Sequence, residues 1–268
     1  MPMTNLRISL VQGATVWHDP ASNRAYYGGL LAPLHDTTDL VLLPETFTSG
    51  FSNEALDTAE TMEGQTLAWM RTQAAKLGAA IAGSVQIREG DGVFNRLLWA
   101  TPAGELHTYD KRHLFRMAKE HERYASGRRR LTVELKGWRV CPLVCYDLRF
   151  PVFVRNRFGV EVAERFDYDL LVFVANWPSA RRHAWRTLLQ ARAIENLCCV
   201  AAVNRVGTDG NDVHYGGDSV ALDELGRALV EFGPQPQVAT VAFSGAALAA
   251  HRARFPAQMD ADRFELLD

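Results

Sequence analysis

Three apolar runs, each of strand length and each ending on a polar or reactive side chain, constrain this chain more than any other feature. "DLVLLPE" closes on Glu45, "WRVCPLVC" on Cys145 and "DLLVFVAN" on Asn176. An unbroken apolar run of this length reads as a strand buried on both faces, the pattern of a parallel sheet covered by helices. In α/β sheets ligands sit beyond the carboxyl ends of such strands. If the three strands are parallel neighbours, their terminal side chains meet at one rim.

The remaining sequence alternates strand and helix patterns. "LRISLVQG" reads as a first strand, and residues 21–35 as a helix with an apolar stripe of Ala25, Leu30, Leu31 and Leu34. Residues 65–77 form a second helix, which Gly78 ends because glycine accepts the left-handed conformation there. "AAIAGSVQI" is a strand, residues 183–197 a helix, "CCVAAVNRVG" and "QVATVAFS" strands, and residues 245–254 a short last helix. Two hairpins intervene, "RLLWATPAGELHTYDK" turning at 102–104 and "DSVALDELGRALVEF" turning near 224–226. They argue for a mixed sheet, or a pair of sheets, with helices outside rather than a purely parallel barrel. With no linker, repeat or low-complexity tract in 268 residues, the chain reads as one α/β domain over residues 1–268.

A formal charge of −2 gives no electrostatic reason to expect nucleic acid or an anionic membrane. The first residues, "MPMTNLRISLVQG", hold too short an apolar stretch for a secretory signal, and no run approaches membrane-spanning length. Four cysteines, Cys141, Cys145, Cys198 and Cys199, make neither a disulfide framework nor the paired CxxC spacing of zinc sites. Reduced thiols fit a cytoplasmic protein without a metal. Of the four, Cys145 stands where "VCPLVC" gives way to the polar segment "YDLRFP", a strand-to-helix turn that projects a side chain into a crevice. In "TYDKRHLF", Lys111 follows a strand and is flanked by Tyr109, Leu114 and Phe115. A lysine in that setting reads as partly buried and needs a counter-charge, which Glu45 or a thiolate supplies.

These residues resemble the nitrilase superfamily of carbon–nitrogen hydrolases. "LLPETFTSGF", "YDKRHLF" and "PLVCYDLRFP" look like its three catalytic segments in order, approximate spacing and strand-end position, and the resemblance runs from "ISLVQ" to the final helix. Within the superfamily the chain is similar to bacterial omega-amidases, especially in "KRHLFRMAKEH", "VCYDLRFPV" and "VANWP". The resemblance implies a four-layer α-β-β-α sandwich with two mixed sheets, a Glu45–Lys111–Cys145 triad and a homodimer. A second glutamate of the family lies seven residues before a glycine; Glu120 stands so before Gly127, with Glu122 close by, and Ser126 replaces the proline that often precedes that glycine.

In this reading Cys145 is the nucleophile and Glu45 its base, and no metal or organic cofactor is needed. With free side chains that proton transfer is uphill by roughly four pKa units, about 6 kcal/mol. Burial raises the glutamate and a nearby Lys111 ammonium lowers the cysteine. The family suggests that Lys111 and the Tyr146 N–H hold the oxyanion. The expected substrate is a small amide, a 2-oxo acid with a terminal amide such as 2-oxoglutaramate or 2-oxosuccinamate. Its carboxylate needs a cation, for which Arg149 is the candidate; the alternative for Arg149 is an ion pair with Asp147 or another carboxylate. Phe47, Phe51, Asn176 and Trp177 are candidates to shape the pocket.

Three rivals remain in view. Another branch of the superfamily, an amidase for deaminated glutathione, a carbamoylase or a nitrilase, would share the triad and differ in the pocket. A papain-like hydrolase would use Cys145, His183 and Asn204. A nitrilase-fold interaction module would carry a broken triad and an inert thiol.

Overall fold

The computed structural model describes residues 3–53, 59–160 and 164–266. The first half runs β1 (Leu6–Gln12), α1 (Pro20–Leu31), β2 (Leu40–Leu42), α2 (Gln65–Leu77), β3 (Ala80–Glu89), β4 (Gly92–Ala100) and β5 (Leu106–Asp110). The second runs β6 (Val133–Leu135), β7 (Trp138–Val144), α3 (Pro151–Val154), β8 (Leu170–Ala175), α4 (Arg182–Asn196) and β9 (Cys199–Asn204). It continues with β10 (Val206–Thr208), β11 (His214–Gly216), β12 (Val220–Leu222), β13 (Ala228–Glu231), β14 (Gln237–Phe243) and α5 (Gly245–Arg254).

Two six-stranded sheets result, ordered β14-β1-β2-β3-β4-β5 and β13-β12-β9-β8-β7-β6. Each has three parallel strands at its centre, β1–β2–β3 in one and β7–β8–β9 in the other. Antiparallel strands flank both trios. The crossovers between parallel strands carry helices, as parallel pairing requires. Alternation on the strands then builds the layers. Leu6, Ile8, Leu10, Leu40 and Leu42 join the core shared with the second sheet. Val11 and Val41 turn the other way, onto Tyr27, Leu31, Met70 and Leu77 of α1 and α2. Trp185, Leu189 and Ala193 bring α4 against the second sheet, so the layers run helix, sheet, sheet, helix.

Two local expectations need correction. The inward stripe of α1 is Asn23, Tyr27 and Leu31; Ala25 is exposed, Leu30 half-buried, and Leu34 lies in a following 3-10 turn. An asparagine can face inward here because its amide is fully used, donating to the carbonyls of Val16 and Thr48 and accepting from the Val16 N–H. The single strand expected of "CCVAAVNRVG" breaks at Arg205, after which β10 pairs with β11 as a separate two-stranded hairpin. Arg205 is buried and donates to the Thr15 carbonyl, which pins the chain at that break. Among the described residues no helix is long and apolar enough to cross a membrane.

The carboxyl ends of β2, β5, β7 and β8 gather at one rim. β7 and β8 are parallel neighbours, as expected, but β2 belongs to the facing sheet. The residues meet across the sandwich, not along one sheet.

Candidate active site

Glu45 leaves β2 just before Thr46, whose φ of 42° turns the chain sharply. Its carboxylate is 1 % exposed and wholly engaged. Oε1 accepts from Lys111 Nζ at 2.9 Å and Asn95 Nδ2 at 2.8 Å, while Oε2 accepts from the Asn176 N–H at 2.8 Å. Asn176 also donates its side-chain amide to the Glu45 carbonyl at 2.8 Å and to Thr46 Oγ1 at 2.9 Å. The ends of β2 and β8 are thereby locked together through one residue.

Lys111 follows β5, and Nζ donates to both Glu120 oxygens at 3.0 Å as well as to Glu45. The ring of Phe51 lies 5.2 Å from the ammonium. Burial alone would lower the Lys111 pKa, but the Glu120 and Glu45 carboxylates outweigh it and hold the amine well above its ordinary value. Glu120 is fully buried, accepts from the Phe115 N–H at 2.6 Å, and is the second glutamate at Lys111; Glu122 is exposed. Burial pushes the Glu120 carboxyl up, the Glu45 charge adds to this, and Lys111 opposes it. Gly127 bonds through its N–H to the Lys111 carbonyl at 2.9 Å. A Cβ there would run into the carbonyl oxygen of Asp110, so the close approach that seats Lys111 requires glycine.

Cys145 directly follows β7 with φ 45°, a left-handed conformation uncommon for a residue with a side chain and typical of sites where the backbone is bent to aim a group. Its Sγ lies 3.8 Å from the Asn176 carbonyl. Burial and the neighbouring Glu45 charge push the thiol well above its ordinary pKa, and Lys111 pulls the other way without prevailing. The surroundings of Cys145 thus favour the protonated sulfur. The expectation that Lys111 lowers Cys145 holds in direction only.

Asp147 holds the bend. It accepts from the Val144 N–H at 3.1 Å and Tyr109 Oη at 2.8 Å, and from the His113 N–H at 3.0 Å and Nδ1 at 2.7 Å. It makes no ion pair with Arg149. The Tyr146 N–H stands near the start of the 3-10 turn Cys145–Arg149, among the donors that a helical turn leaves unfilled.

A cavity of about 660 Å³ opens over this floor. Glu45, Phe51, Cys145, Tyr146, Asn176 and Trp177 line it, and Arg149 stands exposed at its edge with its guanidinium 5.0 Å from the Trp177 ring centre. Phe47 does not reach it. The turn at Thr46 sends that ring outward, where it is fully buried 5.5 Å from Tyr27 and 5.8 Å from Trp69. His183 is exposed on the first turn of α4, and Asn204 spends its side chain on the backbones of Trp177 and Gly217. The papain-like arrangement is thus not assembled.

Sequence reasoning passed over Asn95, the 2.8 Å partner of Glu45, and Arg181, which lines the cavity above Phe115. A lone asparagine inside the apolar β4 run "VFNRLLWA" was the available signal for the first. Nothing in "SARRHAW" separates Arg181 from its basic neighbours.

A glutamate, a lysine and a strand-end cysteine thus meet across two facing sheets at the base of one cavity. The carbon–nitrogen hydrolase family model matches residues 7–252, and the chain belongs to that family, the nitrilase superfamily. Within it the chain falls in the omega-amidase branch, a hydrolase of linear amide carbon–nitrogen bonds. It is 45 % identical over 266 residues to the omega-amidase YafV of Yersinia enterocolitica, covering 99 % of this chain and 100 % of that one. The 2-oxoglutaramate amidase of Bacillus subtilis is 36 % identical over 198 residues, 73 % of this chain and 74 % of that protein. A solved CN-hydrolase superfamily protein from Xanthomonas campestris, with an arsenic adduct in its active site, superposes with a TM-score of 0.98. It is 69 % identical and covers 98 % of this chain and 100 % of its own.

Proposed function

We propose that this enzyme releases ammonia from the terminal amide of short 2-oxo-dicarboxylic acid monoamides, 2-oxoglutaramate and 2-oxosuccinamate, through a thioester on Cys145. The observation that carries the reading is a buried carboxylate–ammonium–thiol floor opening into a cavity edged by Arg149, whose guanidinium has no carboxylate partner among the described residues. The relatives named omega-amidase and 2-oxoglutaramate amidase support the substrate class.

In the proposed reaction the Cys145 thiol gives its proton to Glu45 as sulfur attacks the amide carbonyl carbon. The oxygen becomes an oxyanion held by the Lys111 ammonium and the Tyr146 N–H; one such donor is worth on the order of 3 kcal/mol. The carbon–nitrogen bond breaks as Glu45 passes the proton to nitrogen, and ammonia leaves a thioester. Glu45 then takes a proton from water, the hydroxide attacks the thioester, and the carboxylic acid departs as the sulfur is reprotonated. Glu120 keeps Lys111 charged and fixed throughout.

The test is ammonia release from 2-oxoglutaramate, with glutamine and a simple nitrile alongside, for wild type and Cys145→Ala. Release from the 2-oxo acid alone, lost in Cys145→Ala, is expected. Turnover of glutamine or the nitrile in preference to the 2-oxo acid would overturn the substrate assignment.

A further inference from the structure

We infer that Arg181 is a second anion-recognition residue, which together with Arg149 binds the planar 2-oxo-carboxylate head of the substrate. This rests on the function proposed above and assigns a specificity-determining residue to the same site.

Both arginines line the cavity, on different segments of its wall. Arg149 lies four residues beyond the nucleophile, its guanidinium on the Trp177 ring. Arg181 comes from the turn before α4, its guanidinium 5.1 Å from the centre of the Phe115 ring. Neither makes an ion pair with a carboxylate among the described residues. That sets them apart from Arg130, Arg182, Arg186, Arg192 and Arg252, each bonded to an aspartate or glutamate. Laying a guanidinium on an aromatic face leaves its in-plane N–H donors free, the arrangement that meets a carboxylate edge-on.

The two platforms are tied to each other and to the catalytic floor. The Trp177 indole N–H donates to the Arg181 carbonyl at 2.9 Å, so the ring beneath Arg149 also holds the turn that carries Arg181. The Phe115 N–H donates to Glu120, and the Phe115 ring meets the Tyr146 ring at 5.0 Å beside the nucleophile. A 2-oxo acid presents a carboxylate and an adjacent ketone in one plane. Those oxygens have more lone pairs than a single guanidinium fork can fill, and a second fork supplies the remaining donors.

The test measures kcat and KM for 2-oxoglutaramate, for its analogue lacking the 2-oxo group, and for neutral butyramide. Wild type, Arg149→Gln, Arg181→Gln and Arg181→Lys are compared, with far-UV circular dichroism to check folding. Arg181→Gln is expected to raise KM for 2-oxoglutaramate about tenfold or more, the worth of one charge-assisted hydrogen bond, with kcat changed far less. The loss in kcat/KM should be smaller for the analogue without the ketone and smallest for butyramide. Arg181→Lys, which keeps the charge but not the fork, should fall between. An equal loss for all three substrates would mean that the Arg181 side chain only packs on Phe115, and an unchanged KM would remove it from recognition; either overturns the inference. A wild type that shows no preference for the 2-oxo acid would instead overturn the proposed function.

Discussion

The floor of the cavity and its rim are built on opposite rules. On the floor, Glu45, Lys111, Glu120 and Asn95 are each no more than 1 % exposed, and they bond one another. At the rim Arg149 is exposed and Arg181 half-exposed, and both rest on aromatic rings without a carboxylate partner among the described residues. Charges removed from water interact strongly and need no rearrangement during reaction, which suits bond making and breaking. Charges left at the surface with free donors are ready for a ligand and contribute little to the fold. The difference teaches where each kind of damage should appear: floor substitutions in kcat and stability, rim substitutions in KM.

The largest effect should come from Cys145→Ala. Steady-state ammonia assays are expected to show a loss of at least about 10³-fold, with thermal denaturation nearly unchanged because no ion pair is broken. Lys111→Met should be inactive as well and much less stable, since it leaves two buried carboxylates without their cation. Breaking a buried pair costs about 3–5 kcal/mol, to be read by urea denaturation. If Lys111→Met unfolds no more easily than Cys145→Ala, the floor is not the tightly coupled ionic unit described.

Gly127→Ala comes next. Its Cβ meets the Asp110 carbonyl, and overpacking of this kind costs about 1–3 kcal/mol. Because the strand end that moves carries Lys111, kcat should fall along with stability, although residue 127 touches no reacting atom. Smaller again is the response of Cys145 to pH. A thiol raised above its ordinary value of 9.0 by burial and by Glu45 is protonated at neutral pH, so its thiolate fraction grows as pH rises. Alkylation by iodoacetamide should accordingly still be accelerating at pH 9.0, with no plateau below it. A plateau near neutrality would mean a preformed thiolate and no need for Glu45 as base. Arg149→Gln should disturb the molecule least, raising KM for 2-oxoglutaramate about tenfold and leaving the denaturation midpoint in place.

The floor was far more legible in the sequence than the rim. Strands buried on both faces are written as unbroken apolar runs, so Glu45, Cys145 and Asn176 stand out where polarity returns at their ends. Lys111 was marked by the aromatic and apolar residues around it, and the left-handed Gly78 marked the end of α2. What strand ends cannot show is which sheet each belongs to, and β2 proved to face β7 and β8 across the core. Phe47 follows a strand end, where an aromatic ring can face either pocket or core, and the positive φ of Thr46 swings it into the outer core. Asn23 contradicted the apolar stripe of α1 because backbone carbonyls of distant residues satisfy its amide. Arg181 belongs to the cavity only through the packing of a turn against Phe115, a contact between residues 66 positions apart that no local pattern records.

The central claim is that amide cleavage passes through sulfur at the base of the cavity. Rapid acid quench of wild type with excess 2-oxoglutaramate, followed by mass spectrometry of the Cys145 peptide, tests it most directly. The account predicts an acyl adduct on Cys145 that forms with the first equivalent of ammonia, disappears as substrate is exhausted, and is absent from Cys145→Ala. Ammonia release at the normal rate by Cys145→Ala, or steady turnover of wild type with an adduct on another residue, would contradict it.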